Sequence, residues 1–310
     1  MRLVAAARPR PGGAVRRTVT LSALAAVLAV TAAGSALAVG TASKPTSKPE
    51  PKSEPKAESV RASAADRARQ QRGTLLDRVP ERGVLKVCTT GDYRPFSHRD
   101  PTSGAYTGID IKMAGDLAKS LDAKPAFVPT TWATLVDDLV AGRCDVGMGG
   151  VSVTLERARK AYFSEPYLTD GKTPIVRCED KDKYRTLEEI DKPGVRVVVN
   201  PGGTNEQFAR AHVEQATLTV HPDNTTIFDE IIEGRADVMM TDASETRYQS
   251  AIHPELCAVH PDEPFSFSEK AYALPRGDAQ FKEYVDQWVH LATHDGTYQK
   301  YEDEWMKQMK

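Results

Sequence analysis

The chain has 310 residues, long enough for two ordinary domains or for one domain with appendages. Residues 1–72 hold 13 of its 41 basic residues and 4 of its 43 acidic ones, which leaves 28 basic and 39 acidic residues in 73–310. So acidic a body, with no basic stripe, excludes a nucleic-acid-binding role.

Arg2, Arg8, Arg10, Arg16 and Arg17 precede a run that is uncharged from residue 18 to residue 43 and contains the small-residue triplet Ala36, Leu37, Ala38. A basic segment, an apolar segment and a small-residue cleavage site read as an export signal. The uncharged run also exceeds the ~20 residues needed to cross a bilayer, so residues 1–43 are a signal peptide or an uncleaved N-terminal membrane anchor. The pair Arg16-Arg17 by itself is poor grounds for twin-arginine export. Residues 44–72, rich in Lys, Pro, Glu and Ser, carry little to bury and read as a disordered linker.

The body alternates strands and helices. Residues 84–90, VLKVCTT, form a β-branched strand after Gly83, and residues 109–123 show helical spacing at Ile111, Met113, Leu117 and Leu121. KPAFVPT (124–130) is a strand, 132–143 a helix ended by Gly142, and CDVGMGG (144–150) a strand. The same grammar restarts with strand RVVVN (196–200), a Gly-rich turn, helix 205–213, strand 216–222, helix 224–235 and strand ADVMMT (236–241). LVAGRCDVGMGG and IIEGRADVMMTD run in parallel, and residues 278–308 form two amphipathic helices separated near Gly296. The fold class is therefore α/β: two doubly wound α/β lobes joined by a hinge, with the ligand cleft between them. The expected division is 73–172 as the first part of lobe 1, 173–264 as lobe 2, and 265–310 returning to lobe 1.

Export permits disulfides. Cys178 and Cys257 fall in the same half of the body and are the candidate bridge. Cys88 and Cys144, both in strand-like runs, read as small buried residues, with a bridge between neighbouring strands as the alternative. No CxxC or Cys/His cluster marks a metal site, and His98, His212, His221, His253 and His260 are scattered without ligand spacing.

Ligands of open α/β sheets collect beyond the C-terminal strand ends and between lobes, here residues 89–96, 149–157, 200–205 and 241–245. Asp242 and Glu245, three apart at the last of these, share one side of a helical turn. On pattern alone Glu245 is a solvated acid at a helix start.

RGVLKVCTTGDYRPFS, GIDIKMAGDLAKSL, residues 139–168 and the terminal DGTYQKYEDEW resemble the type II periplasmic amino-acid-binding proteins, over about residues 75–306. AYFSEPYLTDGKTPI, NPGGTNEQFARA, VHPDNTTIF, ADVMMTDASETR, HPELCAVHP and EKAYALPR resemble one enzymatic branch more closely, the periplasmic cyclohexadienyl dehydratases. That resemblance implies a lyase converting prephenate to phenylpyruvate and L-arogenate to phenylalanine, with no cofactor.

In this reading Glu245 is the general acid that protonates the leaving hydroxyl, with a pKa raised by burial, by Asp242 and by the substrate carboxylates. Arg157 matches the arginine with which such receptors grip a ligand carboxylate, and Ser152 and Thr154 would complete that anion site. Asp242 matches the acid that pairs with a ligand ammonium. Gly203, Thr204 and Asn205, at a strand-to-helix turn, would hold a second carboxylate. Trp132, Asp92, Tyr93 and Phe96 form the ring pocket or plain core, with Asp92 bonding the substrate hydroxyl or orienting Glu245. Lys172, at the expected hinge, adds positive charge or is a surface lysine. The rival function is a non-catalytic amino-acid receptor serving a membrane transporter, which Arg157 and Asp242 suit equally.

Overall fold

The computed structural model of the chain describes residues 73–306. The expected signal or anchor (1–43) and linker (44–72) lie outside the described residues. Among those residues no helix is long and apolar enough to cross a membrane.

Two five-stranded sheets organise the chain. The first runs Lys124–Pro129, Val84–Thr89, Val146–Gly147, Ala273–Pro275, Ala161–Phe163, and the second Thr217–Val220, Arg196–Val199, Val238–Asp242, Lys172–Arg177, Leu256–Ala258. In each, the first three strands are parallel and linked by helices, and the last two run antiparallel to their neighbours. The chain leaves the first sheet after Phe163, enters the second at Lys172, leaves it after Ala258 and re-enters the first at Ala273. The two crossings pair with each other as the antiparallel ribbon Leu168–Asp170 and Ser268–Lys270.

Alternation along the central strands explains the two helical layers. Val198, Met239 and Ile175 face one way and pack with Ile227, Phe228 and Ile231, whereas Val197, Val199, Val238, Met240 and Val176 face the other and pack with Ala209 and Ile190. Strands buried on both faces read as continuous apolar runs, which is why RVVV and ADVMM show no polar side. The first sheet is packed by Met113, Leu117, Phe281 and Val285, from the helices Ile109–Ser120 and Ala279–His294.

One buried acid anchors the first lobe's contribution to the cleft. Asp110 accepts from the backbone N–H groups of Gly149 (2.9 Å) and Gly150 (2.6 Å) and from the hydroxyls of Tyr167 (2.7 Å) and Tyr272 (3.2 Å). Burial pushes its carboxyl up, and these four donors offset much of that cost. Gly150, at φ 77°, lies so close to Tyr93 that a Cβ would sit 2.5 Å from the ring, so only glycine fits.

The cysteines require a correction. Cys88 and Cys144 are bridged, with Cα atoms 5.6 Å apart, and are not the unpaired buried residues their strand-like surroundings suggest. The cause is register: Val87 pairs with Val146, which sets the segment carrying Cys144 beside Cys88. Cys178 and Cys257 are also joined, with Cα atoms 4.8 Å apart. Thiol titration of the denatured, unreduced protein should therefore find none of the four cysteines free. Reduction should cost about 4 kcal/mol of stability per bridge on loop-entropy grounds. One free thiol per chain or more before reduction would contradict the pairing.

Candidate active site

Asp242 ends the strand Val238–Asp242 and forms the N-cap of the helix Ala243–Ile252. Only 2% of it is exposed, and both of its oxygens are occupied. Oδ1 accepts from Lys172 Nζ at 2.7 Å; Oδ2 accepts from Lys270 Nζ at 2.7 Å and from the Tyr93 hydroxyl at 2.6 Å. Three separate elements supply these partners. Lys172 is Asp242's register partner on the neighbouring strand, Lys270 comes from the ribbon between the sheets, and Tyr93 comes from the first lobe.

Burial raises the pKa of a carboxyl, but here the two ammonium groups and their hydrogen bonds outweigh it and hold Asp242 well below the usual carboxylate range. Burial also lowers the proton affinity of Lys172, and Asp242 partly restores it. Lys172 is no surface residue: besides Asp242, its Nζ donates to Thr204 Oγ1 (2.9 Å) and to Asn205 Oδ1. Lys270, fully buried, further donates to Ser152 Oγ (2.9 Å) and lies 5.0 Å from the centre of the Tyr93 ring.

Glu245 sits in the first turn of the helix that Asp242 caps and is wholly buried. Its Oε2 accepts from Thr241 Oγ1 at 2.5 Å, and its Oε1 has no hydrogen-bond partner among the described residues. Burial, seconded by the charges of Asp242 and Asp92, pushes its carboxyl well above the usual range, against the pull of the Thr241 bond. A carboxylic acid so placed holds its proton more tightly than an exposed one and can give it up in a reaction.

The remaining candidates divide. Tyr93, Trp132, Gly150, Ser152, Arg157, Asn200, Gly203, Thr204, Asn205, Asp242 and Lys270 line one cavity. Trp132 meets Tyr93 edge-on at 5.4 Å and donates from Nε1 to Asp92 Oδ1 at 3.1 Å, so Asp92 orients the indole. Burial pushes Asp92 up as well. Arg157 spends one guanidinium N–H on the Ser152 carbonyl at 2.9 Å. Gly203 sits at the N-cap of helix Thr204–His212.

Five of the expected residues are not among those lining the cavity: Glu245, Asp92 and Lys172, described above, and Phe96 and Thr154. Phe96 stacks under Tyr93 at 5.4 Å as core, and Thr154 spends its hydroxyl capping Leu155–Ala158 through Arg157 N–H at 3.1 Å. Ser152 lines the cavity, but Lys270 already binds its hydroxyl. Lys270 was missed by sequence reasoning, and Asn200 and Thr241 fall in the expected ligand segments 200–205 and 241–245 but were given no role. The signal for Lys270 was present: it is the one lysine abutting the wholly buried residues 271–274, in EKAYALPR.

The two-sheet fold with a polar cavity lined from both lobes is that of an extracytoplasmic solute receptor, and the comparisons agree. Residues 85–308 match the family model of bacterial extracellular solute-binding proteins, family 3, and the chain belongs to that family. Cyclohexadienyl dehydratase of Pseudomonas aeruginosa is 55% identical over 246 residues, 79% of this chain and 90% of that protein. The L-cystine-binding protein of Escherichia coli K12 is 29% identical over 231 residues, 74% of this chain and 85% of that one. Among solved structures, an ancestral amino-acid-binding protein described as a precursor of cyclohexadienyl dehydratase matches with a TM-score of 0.69 at 37% identity, covering 75% of this chain and 100% of that one.

Proposed function

We propose that this chain is a cyclohexadienyl dehydratase, a carbon–oxygen lyase acting on prephenate and L-arogenate. The observation that carries the reading is Glu245: a wholly buried acid whose carboxyl is pushed well above the usual range, with one oxygen unpartnered among the described residues, one turn from the Asp242–Lys172–Lys270 cluster. The likeness to the Pseudomonas aeruginosa enzyme supports it.

In the proposed reaction Glu245 gives its proton to the ring hydroxyl, whose C–O bond breaks to release water. The ring carboxylate's C–C bond breaks with it, carbon dioxide departs, and the freed electron pair completes the aromatic ring. Prephenate dianion plus one proton thus yields phenylpyruvate anion, carbon dioxide and water, and Glu245 regains its proton from solvent. Aromatisation supplies the driving force, so the site's work is orientation, charge anchoring and one proton. Arg157 and the N–H groups of the turn at Gly203 to Asn205 are the proposed carboxylate anchors, while Lys172, whose three N–H donors go to Asp242, Thr204 and Asn205, adds positive charge only. Asp92 holds Trp132 against the ring. The ribbon of Leu168–Asp170 and Ser268–Lys270 is the proposed hinge between lobe 1 (73–172 and 265–310) and lobe 2 (173–264). The family's extracellular description supports export, with residues 1–43 as signal peptide or anchor.

The purified chain, incubated with prephenate, should form phenylpyruvate, read by its absorbance in alkali. Tight amino-acid binding without that product would make the chain a receptor. The substrates should also be unequal. Asp242 already satisfies two lysines and Tyr93, which leaves no free acceptor for the ammonium of arogenate. We expect kcat/KM for prephenate to exceed that for arogenate by about tenfold or more, roughly 1.4 kcal/mol of lost charge pairing. Equal values would show that Asp242 exchanges a lysine for the substrate.

A further inference from the structure

Behind the cavity wall a chain of hydrogen bonds runs from Lys172 to Glu245. Lys172 Nζ bonds Asn205 Oδ1, Asn205 Nδ2 bonds Thr241 Oγ1 at 3.0 Å, and Thr241 Oγ1 bonds Glu245 Oε2 at 2.5 Å. Its polarity is fixed at the lysine end, because an ammonium has three donors and no acceptor. The atom of Asn205 facing Lys172 must therefore be its carbonyl oxygen. Its amide nitrogen then faces Thr241, with the other amide hydrogen bonding Asn200 Oδ1 at 2.9 Å. Thr241 Oγ1 accepts from Asn205, an amide nitrogen accepts nothing, and Glu245 Oε2 is the one acceptor that Thr241 Oγ1 meets among the described residues, so its single hydroxyl hydrogen goes to Oε2. A proton on Oε2 would face that hydrogen head-on. The proton of Glu245 is thus confined to Oε1, the oxygen that no described residue binds.

We infer that Thr241 and Asn205 are positioning residues for catalysis: with Lys172 they form a one-way hydrogen-bond relay that fixes the transferable proton on Glu245 Oε1. The inference rests on Glu245 being the proton donor. Without the relay the acid still exists, but its proton divides between two oxygens and its carboxyl turns freely about χ3.

The test compares Thr241→Val, which keeps the shape and removes the donor, with Thr241→Ser, which keeps the donor. In Thr241→Val, kcat for prephenate should fall about 10–100-fold, the scale of a misplaced reacting group, with KM within about threefold. Thr241→Ser should recover kcat to within about threefold of the parent. The Thr241 bond favours the ionised form of Glu245, so its loss should move the alkaline limb of the kcat–pH profile upward. The charged and titratable groups facing Glu245 are Asp242 at its own helix start, Asp92 and Tyr93 from the first lobe, and Lys270 from the ribbon, and all are untouched in both variants. A fall in kcat with the limb unmoved, or no rescue by serine, would mark Thr241 as structural and overturn the relay. Parental kcat and limb in Thr241→Val would overturn it as well. Turnover retained by Glu245→Gln would instead reject the proton donor itself, so the two failures are distinguishable.

Discussion

Replacing Glu245 by glutamine leaves the protein folded and close to inactive: kcat for prephenate falls about 10²–10⁴-fold, the usual contribution of a general acid. KM stays within about tenfold, because the anchors are other residues. Glutamine matches the shape, its carbonyl can accept the Thr241 hydrogen, and its amide cannot protonate a leaving hydroxyl. A stability measurement guards against misreading an unfolded variant as an inactive one. Glu245 has a folded pKa raised above its unfolded value near 4.3, so in the window between the two the native state binds a proton that the unfolded chain has released. Stability of the parent is therefore lost progressively as pH rises through that window. Glutamine has no proton to lose, so Glu245→Gln should be at least as stable as the parent at pH 8, with any advantage shrinking toward pH 4. Denaturant melts at the two pH values check this, and a variant that retains parental kcat would remove Glu245 from the mechanism.

Lys270→Met should be the most destabilising change at the site. Lys270 is wholly buried and supplies one of the two cations that offset the Asp242 charge. Methionine matches its length but leaves Asp242 with Lys172 as its one bonded cation, beside the Tyr93 hydroxyl, and removes the donor to Ser152. Breaking a buried pair on one side typically costs about 3–5 kcal/mol, because an uncompensated charge remains. The pH dependence again has a definite sign. Asp242 has a depressed folded pKa, so its contribution is present above the unfolded value near 3.9 and is lost as pH falls toward the folded one. The gap between parent and Lys270→Met should be widest near neutral pH and narrow in acid. Adding Asp242→Asn to Lys270→Met should recover part of the loss. Strict additivity of the two substitutions in urea melts would mean that the pair contributes nothing as a pair.

Much of this architecture was legible in the letters. The apolar runs around residues 84–90, 196–200 and 236–241 are strands because both sheet faces are covered, and Gly296, at φ 90°, breaks the C-terminal helices where the pattern does. The position of Asp242 at a strand end and of Glu245 in the first turn of the next helix also followed from βα grammar. What could not be read were partners fixed by the closing of distant segments. Tyr93 meets Asp242 across 149 residues and Lys270 meets it across 28, and no local periodicity encodes either. The Cys88–Cys144 pairing likewise depends on which strand lies beside which. Thr154 was a different kind of miss. The run T-L-E-R is a local helix-start signal, and the threonine turns its side chain back to that helix and does not line the cavity.

The pairing of Asp242 with two of the protein's own lysines bears on how the molecule lets go. A receptor whose acid waits for a ligand ammonium is electrically incomplete until the ligand arrives, and parting from that ligand re-exposes the unbalanced charge. Here the counter-ions are internal, so the charge balance around Asp242 is the same before and after turnover. What changes is the cargo: the reactant brings two carboxylates to the surrounding cations, and the product keeps one. In the proposed reaction, decarboxylation would thus remove one of the two carboxylates by which the substrate is held.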